Sequence, residues 1–217
     1  MEQFGLRQIN QQGIFITFEG PEGSGKSTQT RRLAAALRRA GHRVVFFQDP
    51  GSTSLGRALR TVLLHAQGQL TPLTEALLFI GGRVALVEER IQPALQQGKI
   101  VVCDRFHDAT VVYQGFAGGL NVPWLDALGR RAIRNTLPRL TIVLDVPVHQ
   151  GFARIRRRHD RMESKTRAFH ERVRRGYRQW AKQNAKRIAI VDASRSSERV
   201  WCDIVAAIQR RLKMSVE

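Results

Sequence analysis

The sequence predicts a doubly wound α/β domain, a five-stranded parallel sheet with helices on both faces. Short apolar runs rich in β-branched and aromatic residues alternate with longer stretches of helical periodicity, which is the pattern of βαβ units. A glycine-rich turn directly follows the first apolar run, where a strand must give way to a helix. No internal repeat or linker-like stretch divides the 217 residues, so a single domain accommodates them.

Five runs qualify as strands: Ile14 to Phe18, Val44 to Phe47, Ile100 to Asp104, Thr141 to Val146 and Ile188 to Val191. Each is nearly continuous in apolar character, as strands covered on both faces require. Helices are expected to fill the gaps. The stretch Thr71 to Gln97 opens on Thr71-Pro72 with Glu75 close behind and runs with helical spacing up to Gly98, so it reads as one long helix walling a cleft. Ser196 and Ser197 are candidate caps for a last helix, in which Val200, Trp201, Ile204, Val205, Ile208 and Leu212 share one face and pack. Residues 1–12 read as a short polar tail and 13–214 as the domain.

Hydrophobic residues form 42% of the chain and charged residues 25%, ordinary values that exclude a disordered, collagenous or disulfide-built protein. The charge is not ordinary. Lys and Arg number 36 against 18 Asp and Glu, a net +18, so the partners should be anionic. Residues 151–187 hold much of the excess, with 11 Arg and 3 Lys against 3 acids. Cys103 and Cys202 lie far apart with no metal-ligand spacing, which suits a reducing cytoplasm. No apolar run approaches the roughly 18 residues that span a bilayer, and the start lacks a signal-peptide hydrophobic region, so no membrane role is expected.

Gly20-Pro21-Glu22-Gly23-Ser24-Gly25-Lys26-Ser27-Thr28 matches G-x-x-x-x-G-K-[ST] between a strand and a helix. The glycines let successive N–H groups point inward, and the following helix adds its positive dipole end, so the loop cradles polyphosphate. Lys26 reaches the β and γ phosphates of a nucleoside triphosphate, and the Ser27 hydroxyl is placed to ligate Mg²⁺. The fold is therefore expected to be of the P-loop NTPase type. The loop alone leaves the acceptor open. Asp104-Arg105 closes the third strand, where a carboxylate beside the loop can hold the metal or its waters and a guanidinium can fork onto a phosphate; a structural ion pair is the bland alternative.

From Gly13 onward the chain resembles the thymidylate kinases. The segments that carry this are FEGPEGSGKST, DPGSTSLGRALRTVLL, LLFIGGRVALVEERIQPAL, CDRFHDATVVYQG and an Arg-rich stretch followed by FHERVRRGY. The resemblance implies phosphoryl transfer from ATP to dTMP, giving dTDP and ADP, with Mg²⁺ as cofactor and a homodimer as the assembly. It assigns Phe79 to stacking on thymine, Arg83 to the base, Arg105 to the acceptor phosphate, Tyr113 and Gln114 to the deoxyribose and base, and Glu22 to the acceptor sugar. Asp49 and Thr110 join the acceptor-binding set by position. Residues 154–168 resemble a mobile lid whose arginines, Arg154, Arg156, Arg157, Arg158 and Arg161, deliver positive charge to the migrating phosphoryl group. Arg154 and Arg158 are the expected catalytic members, beside Lys26 and Arg105.

Three departures bear on acceptor choice and turnover. Gln48-Asp49-Pro50-Gly51 stands where the family has Arg-Glu-Pro-Gly, Ala109 where it has a serine, and Lys165, Arg167 and Ala168 where acidic or apolar residues are common. Two other readings remain: a kinase of another pyrimidine monophosphate or a nucleoside, and a nucleotide-dependent nucleic-acid-binding protein. The second lacks interleaved stacking aromatics, since only Phe152 qualifies between Gly151 and Lys165, although the charge predicts some nonspecific nucleic-acid adhesion.

Overall fold

A computed structural model describes residues 13–65, 68–156 and 160–216. The tail at 1–12 and the arginines at 157 and 158, the expected catalytic Arg158 included, lie outside the described residues.

Five strands form one all-parallel sheet, as expected: β1 Ile14–Glu19, β2 Val44–Gln48, β3 Ile100–Asp104, β4 Leu140–Asp145 and β5 Ile188–Asp192, in the order β2-β3-β1-β4-β5. The predicted strands agree to within one residue at each end. Three of them, β1, β2 and β5, gain a polar residue at the carboxyl end, Glu19, Gln48 and Asp192. Backbone pairing carries the ladder one residue beyond the apolar run. β1 sits between β3 and β4, so crossovers leave it to both sides and open a crevice at its carboxyl end.

The helices are α1 Lys26–Arg39, α2 Ser54–His65, α3 Pro72–Leu86, α4 Gln92–Gln96, α5 His107–Thr110, α6 Val122–Ala132, α7 Val148–Ala153, α8 Arg167–Gln183 and α9 Ser197–Leu212. The single long helix expected from Thr71 to Gln97 is instead α3 and α4 joined by a π-helical stretch, Val87–Ile91. A second π-helical stretch, Val111–Ala117, continues α5. Such bulges shift side-chain register inside a helix and occur often at functional sites. Thr71 caps α3 by accepting from the Thr74 N–H, and Ser196 caps α9 by accepting from Arg199.

The core lies on both faces of the sheet. α1 and α9 cover one face, where Leu33, Leu37, Trp201, Ile204 and Ile208 meet Ile16, Phe18, Leu140 and Ile142. Burying each such side chain contributes about 1.5–3 kcal/mol. A second cluster joins α8 to the π-helical stretch Val111–Ala117 through Tyr113, Phe169, Val173, Tyr177 and Trp180. Gly176 permits this approach, because a Cβ there would meet Phe116 at 2.8 Å. Asp108 anchors the same region: its carboxylate accepts from both Arg187 terminal nitrogens at 2.6 and 2.8 Å, from Trp180 Nε1 at 2.6 Å and from Thr141 at 3.0 Å.

Candidate active site

The crevice beyond the sheet holds one cavity of about 640 Å³, lined by the phosphate loop, the ends of β2 and β3, and α3, with the π-helical stretch Val111–Ala117 and the Arg-rich segment completing its wall. Glu22, Gly23, Ser24, Gly25, Lys26, Ser27, Thr28, Asp49, Phe79, Arg83, Asp104, Arg105, Thr110, Tyr113, Gln114 and Arg154 all line it. Gly20 and Pro21 complete the loop behind it.

The loop's shape depends on its glycines. Gly23 has φ +66° and its Cα packs against α7, where a Cβ would collide with the Gly151 carbonyl oxygen. Gly25 takes φ +85° as the residue before α1, so the helix begins abruptly with its free N–H groups facing the cavity. Lys26 Nζ donates to the carbonyls of Gly20 at 2.9 Å and Pro21 at 2.7 Å and to Ser24 Oγ at 3.3 Å. Burial, reinforced by the nearby Arg105 charge, brings its ammonium down to about 8.

At the end of β3, Asp104 Oδ2 accepts from Ser27 Oγ at 2.5 Å. Arg105 follows with φ +66°, a left-handed conformation that costs a non-glycine residue about 1 kcal/mol. Two bonds hold the turn: Arg105 N donates to the Phe18 carbonyl at 2.9 Å, and the Phe106 N–H donates to Glu19 Oε1 at 2.8 Å. The turn swings the guanidinium over the Tyr113 ring, 5.0 Å from its centroid, with Tyr113 Oη at 3.2 Å, Tyr177 Oη at 3.4 Å and Glu22 Oε1 at 3.5 Å.

Glu22 is 7% exposed. Burial alone would raise its carboxyl, but His170 at 3.3 Å, the charges of Arg105 and Lys26, and the Tyr113 hydroxyl at 2.5 Å outweigh it and bring the carboxyl down to about 2. Glu19, at the end of β1, goes the other way. Burial and the neighbouring Asp108 charge raise it to about 7, although it accepts from Phe106, Ala109 and the Tyr177 hydroxyl.

On the far wall, Phe79 is half-buried beside Arg83. Arg83 Nε donates to Asp49 Oδ2 at 2.6 Å and Nη2 donates to Thr110 Oγ1 at 2.9 Å. Its Nη1 has no partner among the described residues, and neither does Gln114 Oε1, although both are buried. The wall thus offers one donor and one acceptor beside an aromatic face.

The described arginines of the Arg-rich segment divide by their contacts. Arg154 is exposed at the loop's rim, donating to the Ala193 carbonyl at 3.0 Å and the Gly23 carbonyl at 3.4 Å, and Arg156 lines the cavity. Arg161 is turned away from the loop: its guanidinium donates to the Leu63 carbonyl at 2.7 Å and to Glu75 Oε1 at 2.7 Å. Glu19, Glu75, His170 and Tyr177 contact one another or the candidate site residues, and sequence reasoning did not single them out. Glu19 carried a signal, a carboxylate at the end of an apolar strand, the same signal that marked Asp104.

Residues 18–204 match the family profile described as thymidylate kinase. The chain belongs to the thymidylate kinase family. Among curated thymidylate kinases, that of Thermomicrobium roseum is 45% identical over 203 residues, covering 90% of this chain and 96% of its own length. That of Deinococcus radiodurans is 41% identical over 202 residues, covering 92% and 98%. The crystal structure of the thymidylate kinase from Ehrlichia chaffeensis superposes with a TM-score of 0.74 at 34% identity, covering 91% of this chain and 99% of that one. In this chain the phosphate loop, Arg105 and the wall of Arg83 and Gln114 share one cavity.

Proposed function

We propose that this protein transfers the γ-phosphoryl group of ATP to dTMP, giving dTDP and ADP. The observation that carries the reading is the single cavity joining the Lys26 loop to the Arg83 and Gln114 wall, with Arg105 between them. ATP lies with its polyphosphate in the loop, held by backbone N–H groups, the α1 dipole and Lys26. Arg105 takes the dTMP phosphate. Thymine stacks on Phe79, its carbonyl meets Arg83 Nη1 and its ring N–H meets Gln114 Oε1.

An oxygen of the dTMP phosphate forms the new bond to the γ phosphorus while the bond to the β–γ bridging oxygen breaks, and that oxygen leaves on ADP. The acceptor phosphate already carries its nucleophilic oxygen, so alignment and charge stabilisation supply most of the rate. Ser27 and Asp104 would hold Mg²⁺. Two hard oxygen donors, with no cluster of three or more metal-ligating His, Cys, Asp or Glu among the described residues, suit a cation that takes its remaining ligands from phosphate and water. When bound, it neutralises charge on the β and γ phosphates. Residues 154–168 act as the lid, with Arg154 and Arg156 on the donor side.

A homodimer is part of this reading, supported by the exposed Leu55, Val62, Leu73 and Leu77 on the neighbouring helices α2 and α3; equilibrium sedimentation tests it. The unpaired Cys103 and Cys202 support a cytoplasmic setting, and no described helix is long and apolar enough to cross a membrane. A coupled ADP-release assay with dTMP, dUMP, UMP, CMP, AMP, GMP and thymidine tests the reaction. Preference for dTMP is expected; turnover only with another acceptor overturns it.

A further inference from the structure

Glu75, in the first turn of α3, is 1% exposed, yet its carboxylate carries three side-chain partners from beyond its helix. Arg161 Nη1 donates to Oε1 at 2.7 Å and Lys165 Nζ to the same oxygen at 3.0 Å. Gln114 Nε2 donates to Oε2 at 2.8 Å. Burial alone would raise this carboxyl, but the hydrogen bonds from Gln114, Arg161 and Lys165 outweigh it and hold the group below its ordinary value. Arg161 is itself clamped, donating to the Leu63 carbonyl through Nε and to the Leu64 carbonyl through its backbone N–H.

A primary amide has one donating end and one accepting end, and an ionised carboxylate only accepts. Glu75 therefore fixes which way Gln114 faces, since the flipped amide would set two acceptor oxygens against each other. The amide oxygen is left as the free end, in the cavity wall beside Phe79, Arg83 and Thr110.

The geometry points to Glu75 as the positioning residue for base choice: by holding Gln114 Nε2 it makes the pocket present an acceptor, which favours a ring N–H, as in thymine, over a ring lone pair, as in cytosine. The inference rests on the dTMP reading above and deepens it. Arg161 and Lys165 belong to the device, because two cations on one oxygen keep the carboxylate charged and oriented. The Lys165 departure from the family pattern thus acts on the base pocket through Glu75, and seating of the lid and choice of base share one carboxylate.

The substitution Glu75→Gln carries a directional consequence. Arg161 and Lys165 only donate, so they take the oxygen of the new amide and turn its NH₂ toward Gln114. Gln114 must then flip and present a donor to the base. Steady-state kinetics with saturating ATP and Mg²⁺, comparing dTMP and dCMP, should show the dTMP to dCMP ratio of kcat/KM falling at least about tenfold, mainly through KM for dTMP. A purely structural defect lowers both acceptors together. If a folded Glu75→Gln enzyme keeps the wild-type ratio, the inference is wrong. If the wild type itself has no preference for dTMP, the functional reading fails instead.

A measurement on the unsubstituted enzyme covers the case in which the variant does not fold. The Gln114 side-chain amide protons should exchange slowly with solvent in NMR spectra, and Lys165→Met should quicken that exchange. Rapid exchange in the wild type overturns the inference.

Discussion

Asp49 and Arg83 form an ion pair of 2.6 Å with side-chain exposures of only 1% and 2%. The pair ties the end of β2 to α3 and leaves Arg83 Nη1 as the unpartnered nitrogen of a residue that lines the cavity. In the proposed reading, Asp49 thereby acts on the acceptor through Arg83. Its shorter side chain, where the family pattern has a glutamate, still reaches the guanidinium. Removing the acid leaves a buried cation without its counter-charge, which costs about 3–5 kcal/mol. Asp49→Ala should lower the unfolding free energy by that amount in urea titrations and raise KM for dTMP; an unchanged midpoint would contradict the pairing.

Lys26 is buried at the start of α1, where it contributes three hydrogen bonds to the phosphate loop. Lys26→Ala should abolish phosphoryl transfer while the far-ultraviolet circular dichroism spectrum and cooperative melting persist. Residual turnover above about one per cent of wild type would show that the loop amides and α1 dipole suffice.

Arg105 combines a phosphate-sized guanidinium with an unfavourable backbone. Arg105→Ala should weaken dTMP binding at least about tenfold more than ATP binding by isothermal titration, since its guanidinium sits on the Tyr113 side of the cavity. Equal losses would remove it from the acceptor site. Arg105→Gly should weaken dTMP binding as much yet be more stable than the alanine variant by about 1 kcal/mol, because glycine accepts φ +66° without strain.

Glu19 is raised from an ordinary 4.5 to about 7, chiefly by burial. Between those values the folded chain holds a proton that the unfolded chain has released, so stability falls as pH rises through this window. At roughly 1.4 kcal/mol per unit, the loss is on the order of 3 kcal/mol. Glu19→Gln keeps one oxygen for the Phe106 and Ala109 N–H groups and an NH₂ for Tyr177. The stability of wild type minus that of Glu19→Gln should therefore drop by this order between pH 4.5 and 8. A flat difference would mean that Glu19 is ionised throughout.

The five strands, the α3 and α9 caps and the phosphate loop are legible in the order of residues alone. These depend on contiguous residues: alternation of apolar runs, a hydroxyl three residues before an N–H, glycines where the chain must turn. The choice of Phe79, Arg83, Arg105 and Gln114 as acceptor residues came from resemblance, and the fold brings all four to one cavity. Partner choice among the charges belonged to the tertiary structure alone. Arg161 and Arg154 look equivalent in the Arg-rich segment, yet one binds Glu75 across 86 residues and the other meets the loop across 131. Glu19 and Glu22 lie three residues apart and are driven in opposite directions, because burial dominates the first while His170, Arg105 and Lys26 surround the second. Electrostatic energies depend on distance and desolvation in space, and neither is written in the local order of residues.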